Sequence, residues 1–430
     1  MKFHLRTVLV LTFATCVAHA AETATSSDVA DESLLTLDAA VELGLAKAPS
    51  LRARQAGLEA AQALTVSAGR LPDPQLILAL DNLPVSGSDA YSTTDDFMTM
   101  RRVGVMQEFL AGTKRRLRRE QAQAWTSVAD ADITQAKLDI AREVAEAWIR
   151  RSTAESTLTE LKSLVPELEL QASASEAAVA AGRGRTTDAL AAQAAVVRLT
   201  ARIRELDGEA KGAVLALAQW IDADANRPLA PMPAMDTLPV PPGTLLATVH
   251  QHGSLRPYEA RAAAARLDID LAKAERRPDW SAEFAFEKRG PDYSDMVSLE
   301  FRIGLPVNTR NRQDPVVASK SAELRQIEAD REVEIRMHLA ELHEKLIDWE
   351  VRGEQVDLYN RELLPLFRER SRAALAAYRA GRGDLVSALE AFEQEAEARI
   401  EYASLLDERG RAWAFLRFLV PQPSDQEVQP

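Results

Sequence analysis

Cysteine is nearly missing from this chain. Its one thiol, Cys16, lies within the first 20 residues, so the rest of the chain offers no disulfide and no thiolate metal ligand. Glycine (18) and proline (20) are sparse among 430 residues, and aromatics reach only 5%. Ala, Leu, Glu and Arg dominate instead, a composition that favours long helices over a compact α/β enzyme. Positive charge is in deficit: the formal net charge is −13, which argues against a general nucleic-acid binder. After the N-terminus no stretch approaches the ~20 apolar residues of a membrane helix, so any membrane crossing has to use β-strands. A catalytic constellation is missing as well. His338 and His343 stand five apart on a helical pattern, and the two histidines four apart of a metalloprotease helix do not occur.

What the chain does have occurs twice. Residues 181–184 and 380–383 both read Ala-Gly-Arg-Gly, an offset of 199. The same offset relates Leu164 and Pro166 to Leu363 and Pro365, and Ala189-Leu190 to Ala388-Leu389. Each copy closes one long helical pattern and opens another, so each is the tip of a helical hairpin, with glycine supplying the left-handed turn. The chain is an internal duplication.

Residues 1–20 read as a signal peptide. Lys2 and Arg6 precede an apolar run from Val8 to Val17, and Ala18-His19-Ala20 forms a small-x-small cleavage site. Its removal moves the formal charge from −13 to −15. Thr15 and Phe13 fit a lipid-attachment pattern around Cys16 poorly. Residues 21–34 are small and polar, and are expected to be disordered.

The first repeat spans 35–222. Thr36 caps a helix that resumes after Pro49 and stops before Pro72 and Pro74. Two alternating strands follow, at about 75–83 and 98–109. A helical pattern of about 65 residues then begins near Thr113, with Ile133, Ile140, Ala147, Ala154, Leu161 and Leu168 recurring every seven positions. Pro166 is expected to kink it, and a return helix runs from the first tip to about Ile221. Residues 223–243 are proline-rich and divide the repeats. The second repeat, 244–420, repeats the order: a helix over about 245–275, strands at about 280–287 and 296–305, a long helix from about Asp314, the tip 380–383, and a final helix. Residues 421–430 form a polar tail.

The strands have one apolar and one charged face. Val297, Leu299, Phe301, Ile303 and Leu305 alternate with Ser298, Glu300, Arg302 and Gly304, and Trp280, Ala282, Phe284 and Phe286 oppose Glu283 and Glu287. Such strands suit lipid outside and water inside. The competing reading packs the apolar faces on helices of a soluble protein. Four strands cannot close a membrane barrel, so the chain is expected to oligomerise: a dimer supplies eight strands, a trimer twelve. With Asp81, Glu283, Glu287, Glu300 and Arg302 as lumen residues, the wider barrel is favoured.

In element order and duplication nearly the whole chain resembles the TolC-like outer-membrane efflux factors. The segment Leu35-Thr-Leu-Asp-Ala-Ala-Val-Glu-Leu43 and the Pro72-Asp-Pro74 ahead of the first strand fit that family. The segments Leu71–Leu76, Asp81–Pro84 and Met106–Phe109 look most like its heavy-metal (CzcC/CusC-like) branch. The resemblance implies a mainly α fold with a membrane β-barrel part: a homotrimer of a twelve-strand outer-membrane barrel and a periplasmic α-helical tunnel, in a Gram-negative bacterium. It implies a passive, non-enzymatic exit duct without cofactor, working with a periplasmic adaptor (membrane fusion protein) and an inner-membrane RND transporter, with metal cations as cargo. A duct for drugs or type I secretion, and a soluble periplasmic coiled-coil scaffold, stand as alternatives. At the tips, Gly182, Arg183, Gly184, Asp188, Tyr378, Gly381, Arg382, Gly383, Asp384 and Glu390 are the candidate gate and docking residues. Asp188, Tyr378 and Glu390 match family positions. The family's partner arginine would fall on Gly383, one place after Arg382, and a second pore acid would fall on Ser387. Met98, Met100 and Met106, which share a strand parity, and the pair His250 and His252 are weak metal candidates.

Overall fold

The structure, a computed structural model, describes residues 34–421. The expected signal peptide, Cys16, most of the 21–34 segment and most of the polar tail lie outside the described residues. Helix α1 (Leu37–Lys47) starts where the sequence places it, with the Thr36 hydroxyl accepting from the Ala39 amide at 3.1 Å. Pro49 opens α2 (Pro49–Ser67). Strands β1 (Gln75–Asp81) and β2 (Met100–Phe109) follow. Each is two residues shorter than expected at the loop end, where Asn82 adopts a left-handed φ of 54° and ends β1.

The long heptad pattern becomes α3 (Gly112–Lys162) and α4 (Val165–Ala180), separated at Ser163 and Leu164. Pro166 sits in the first turn of α4, where its missing N–H costs nothing, so the chain breaks its helix just upstream. The return helix is α5 (Thr186–Ile221). In the second repeat the expected 245–275 helix is divided. It forms α6 (Pro242–Ala247), two short 3-10 turns, and α7 (Arg256–Ala274), because Gly253 and Pro257 interrupt the pattern. Strands β3 (Trp280–Lys288) and β4 (Met296–Ile303) lead into α8 (Thr309–Leu358). The position equivalent to the α3–α4 break is handled differently. The helix widens into a single π turn at Tyr359–Leu363 and continues as α9 (Leu364–Arg379), which places Pro365 in a first turn again. The last helix is α10 (Leu385–Arg417).

The strands form one antiparallel sheet in the order β1-β2-β3-β4. The two hairpins join through β2 and β3, with Val103 opposite Phe286 and Phe109 opposite Trp280. Strands β1 and β4 end the sheet without a partner on their outer edges.

Helices α5, α3, α10 and α8 neighbour one another in that order. One side of this row carries the main core, where α1 and the proline-rich segment lie across the helices. Leu35 bridges Leu229 in parallel. Three indoles, each from a different long helix, donate to this crossing backbone: Trp148 to the Leu35 carbonyl at 3.0 Å, Trp349 to Met235 at 2.8 Å, and Trp413 to Thr237 at 2.9 Å. Buried Arg151 donates to the Ala225 and Arg227 carbonyls. The segment at 223–243 is thus a belt built into the core, with Met235 buried, as well as the connection between repeats.

Candidate functional site

The sheet carries its apolar side chains on the open face. Leu78 is 71% exposed, Phe284 58% and Phe301 60%, and no helix covers them. The opposite face holds the ion-paired charges, whereas Arg101 and Lys288 end the apolar face at the loop side. Glu283, 3% exposed, lies between Arg102 at 3.2 Å and Arg302 at 3.1 Å. Arg102 also reaches Asp81 at 3.0 Å, and Arg302 reaches Glu300 at 2.6 Å. Glu287 accepts from Ser298 at 2.9 Å. All five expected lumen residues therefore share one face, together with Arg102. Phe109 and Trp280 stack at 4.2 Å where the sheet meets the helices, the place of an aromatic girdle on a membrane barrel. Just beyond them Lys114 is buried between Asp279 at 2.7 Å and Glu275 at 2.9 Å. Asp279 also accepts from the Ala111 amide at 2.8 Å, and together these contacts fix the strand-to-helix joint. The Lys114 and Ala111 hydrogen bonds hold the Asp279 carboxyl below its ordinary range despite burial, and those to Asp279 and Glu275 raise the Lys114 ammonium.

The two tips have matching backbone. Gly182 (φ 67°) and Gly381 (φ 68°) both take the left-handed conformation. The amides of Arg183 and Gly184 donate to Ala178, and those of Arg382 and Gly383 to Ala377, a Schellman-type closure. The second glycine is needed for a different reason. A Cβ on Gly184 would stand 2.8 Å from the Val179 nitrogen, and one on Gly383 would stand 3.2 Å from the Ala377 Cβ. Arg183, Arg382 and Glu390 are exposed, Asp188 is half-buried in the first turn of α5, and Tyr378 packs on the core between the hairpins. Asp384 is the N-cap of α10. It accepts from the Ser387 amide and hydroxyl, both at 2.8 Å, and these bonds lower its pKa. Two contacts between hairpins have no signal in the sequence: Arg379 on α9 reaches Glu167 on α4 at 2.7 Å, and Arg198 on α5 reaches Glu393 on α10 at 3.4 Å.

The face of α3 and α10 opposite the belt lines an open cavity of about 700 Å3. Its walls interleave Arg142, Arg150 and Arg411 with Glu146 and Glu408, and add Lys345 and Asp348 from α8. Burial raises the pKa of Glu146 there, and that of Asp407, the residue before Glu408 on α10.

The metal candidates do not converge. Met98 lies in the loop before β2, and the Met106 sulfur sits 3.5 Å from the Arg302 guanidinium, a cationic neighbour that disfavours a metal ion. His250 is exposed, whereas His252 is fully buried and places Nδ1 at 2.7 Å from Nε2 of His338. The pair that forms is thus His252–His338 rather than His250–His252. These two residues are 86 positions apart, a juxtaposition only the tertiary fold produces. Burial lowers both imidazoles, His252 to about 4. Among the described residues no group of three or more His, Cys, Asp or Glu could hold a metal ion.

Residues 40–221 match the family described as outer membrane efflux protein. No curated protein matches the chain at a significant level. Among solved structures, the outer-membrane channel OprN superposes with a TM-score of 0.75 at 23% identity, covering 89% of each chain. CusC, whose structures describe folding and transmembrane channel formation, gives 0.77 at 16%, covering 90% of this chain and 92% of its own. The CmeC outer membrane channel of Campylobacter jejuni gives 0.76 at 13%, covering 98% and 96%. The fold is that of TolC-like channels over nearly the whole described chain.

Proposed function

We propose that this chain, with the fold of the TolC-like channels and a first repeat matching the outer membrane efflux proteins, is the outer-membrane exit duct of a tripartite efflux system. One observation carries the reading: all four strands expose their apolar faces while the reverse face carries ion-paired charge. That arrangement is stable with lipid on the first face and water on the second. It also disfavours the soluble-scaffold alternative, which needs helices packed on the apolar face. The unpaired outer edges of β1 and β4 call for other strands, and a homotrimer of twelve strands provides them. The row of helices then becomes one third of a tunnel wall, with the charged cavity inward and the belt outward.

The duct has no energy source of its own, so a periplasmic adaptor and an inner-membrane RND pump act with it. The tips are the docking and gating end, and opening proceeds by untwisting that breaks contacts such as Arg379–Glu167. Disulfides engineered between neighbouring tips should abolish efflux while leaving the protein in the membrane; unchanged efflux would overturn the gating reading. Metal cations are the proposed cargo, supported by the three segments that look like the heavy-metal branch; drugs are the second reading. The test is detergent extraction of outer membranes with mass determination of the native complex, then metal and drug sensitivity of a deletion strain. A soluble monomer would overturn the duct, and a strain sensitive to drugs alone would overturn the metal cargo.

A further inference from the structure

The charged face of the sheet is organised as a chain of ion pairs that crosses every strand. It runs from Asp81 on β1 to Arg102 on β2, to Glu283 on β3, and to Arg302 and Glu300 on β4, with successive gaps of 3.0, 3.2, 3.1 and 2.6 Å. No strand lacks a member, and the chain ends at both unpaired sheet edges. Folding alone does not require this, because a water-facing sheet is satisfied by isolated polar groups, and Arg302 is about half exposed. Three carboxylates meet two guanidiniums, so each protomer keeps one uncompensated negative charge in the chain.

We propose that Asp81, Arg102, Glu283, Glu300 and Arg302 form a continuous luminal charge girdle that sets the electrostatic selectivity of the barrel, completed only when β4 of one copy meets β1 of the next. The inference rests on the exit-duct reading above. A net-negative ring inside a low-dielectric wall concentrates cations and repels anions, and neighbouring members act in opposite senses. Losing Arg302 deepens the negative potential; losing Glu300 removes the net negative charge.

The near absence of native cysteine provides a local probe. Ser281 lies opposite Arg302 in the register, so Ser281→Cys places a thiol beside the girdle in a chain whose other thiol is Cys16. Its reaction rates with a cationic and an anionic methanethiosulfonate reagent, measured on the trimer in outer membranes against the parent chain, report the local potential whatever the state of the tips. For one unit charge about 6 Å away, adding Arg302→Gln should raise the cationic-to-anionic rate ratio about seven-fold at 0.01 M salt and about three-fold at 0.15 M. Adding Glu300→Gln should lower it comparably. Both changed residues are half exposed, and trimer yield is checked in parallel. A thiol that reacts while neither substitution moves the ratio would overturn the girdle. A thiol in the membrane-embedded trimer that reacts with neither reagent would instead overturn the placing of this face in a water-filled lumen, and with it the duct.

Discussion

The buried His252–His338 pair makes the helical part of the protein acid-sensitive. With Nδ1 of His252 and Nε2 of His338 2.7 Å apart, one must donate and the other accept, so the contact does not survive protonation of both rings. Burial is the main cause of the lowered pKa of His252, followed by His338; the Leu245 backbone contact opposes it. For His338 burial again leads, Glu341 and Glu334 oppose the shift, and Arg142 adds to it. A group whose folded pKa lies below its unfolded one gives stability that is complete above the unfolded value and lost as pH falls toward the folded one. With His252 moving from 6.5 to about 4, linkage gives a loss of about 2 kcal/mol at pH 5, roughly a thirty-fold rise in local opening. Hydrogen exchange resolved to peptides covering 249–255 and 334–342 reads this locally, without a reversible global unfolding. Protection there, corrected for intrinsic exchange, should fall about thirty-fold between pH 7.5 and 5. In His252→Asn the pH dependence should flatten. Equal pH slopes in the parent and the variant would refute the reasoning.

At the first tip, Gly184→Ala should destabilise the hairpin by about 1–3 kcal/mol because its Cβ meets rigid backbone. Gly383→Ala should cost clearly less, and proteolysis rates at the two tips would separate them. Trp148→Phe keeps most of the packing and removes one of the two donors to the Leu35 carbonyl, which retains the Ala230 amide at 3.1 Å, so it should cost about 0.5–1.5 kcal/mol in chemical denaturation. Lys114→Met removes the buried cation from between Asp279 and Glu275; because both carboxylates are partly solvated, Arg118 still reaches Glu275 at 3.6 Å and Asp279 keeps the Ala111 amide, it should cost about 1–3 kcal/mol. Its assay is the heat stability of the proposed trimer on semi-native gels, and an unchanged midpoint would mean that the joint does not depend on this pair.

The duplication, the order of helices and strands, both tips and the faces of the strands were legible in sequence because each follows from local rules. Period-seven and period-two patterns state which side of an element is apolar, and the repeated Ala-Gly-Arg-Gly states where the chain reverses. The belt was not legible. Residues 223–243 read as a divider because proline marks a break in helix, and nothing local says that Met235 and Thr237 will receive indole N–H groups from helices more than 100 positions away. The different fates of the two matched prolines, a break at Ser163 and a π turn at Tyr359, were equally hidden, since each depends on how neighbouring helices pack. The same holds for the site. Sequence assigned Glu283 and Arg302 to one face by parity, but the edge-to-edge ion-pair chain needed the register of β2 on β3, which joins the two repeats. His252 was paired with its sequence neighbour, whereas the fold paired it with a residue on α8. Sequence determines what each element offers on each face; only the tertiary structure decides which offered groups meet, because those contacts are set by long-range packing rather than by spacing along the chain.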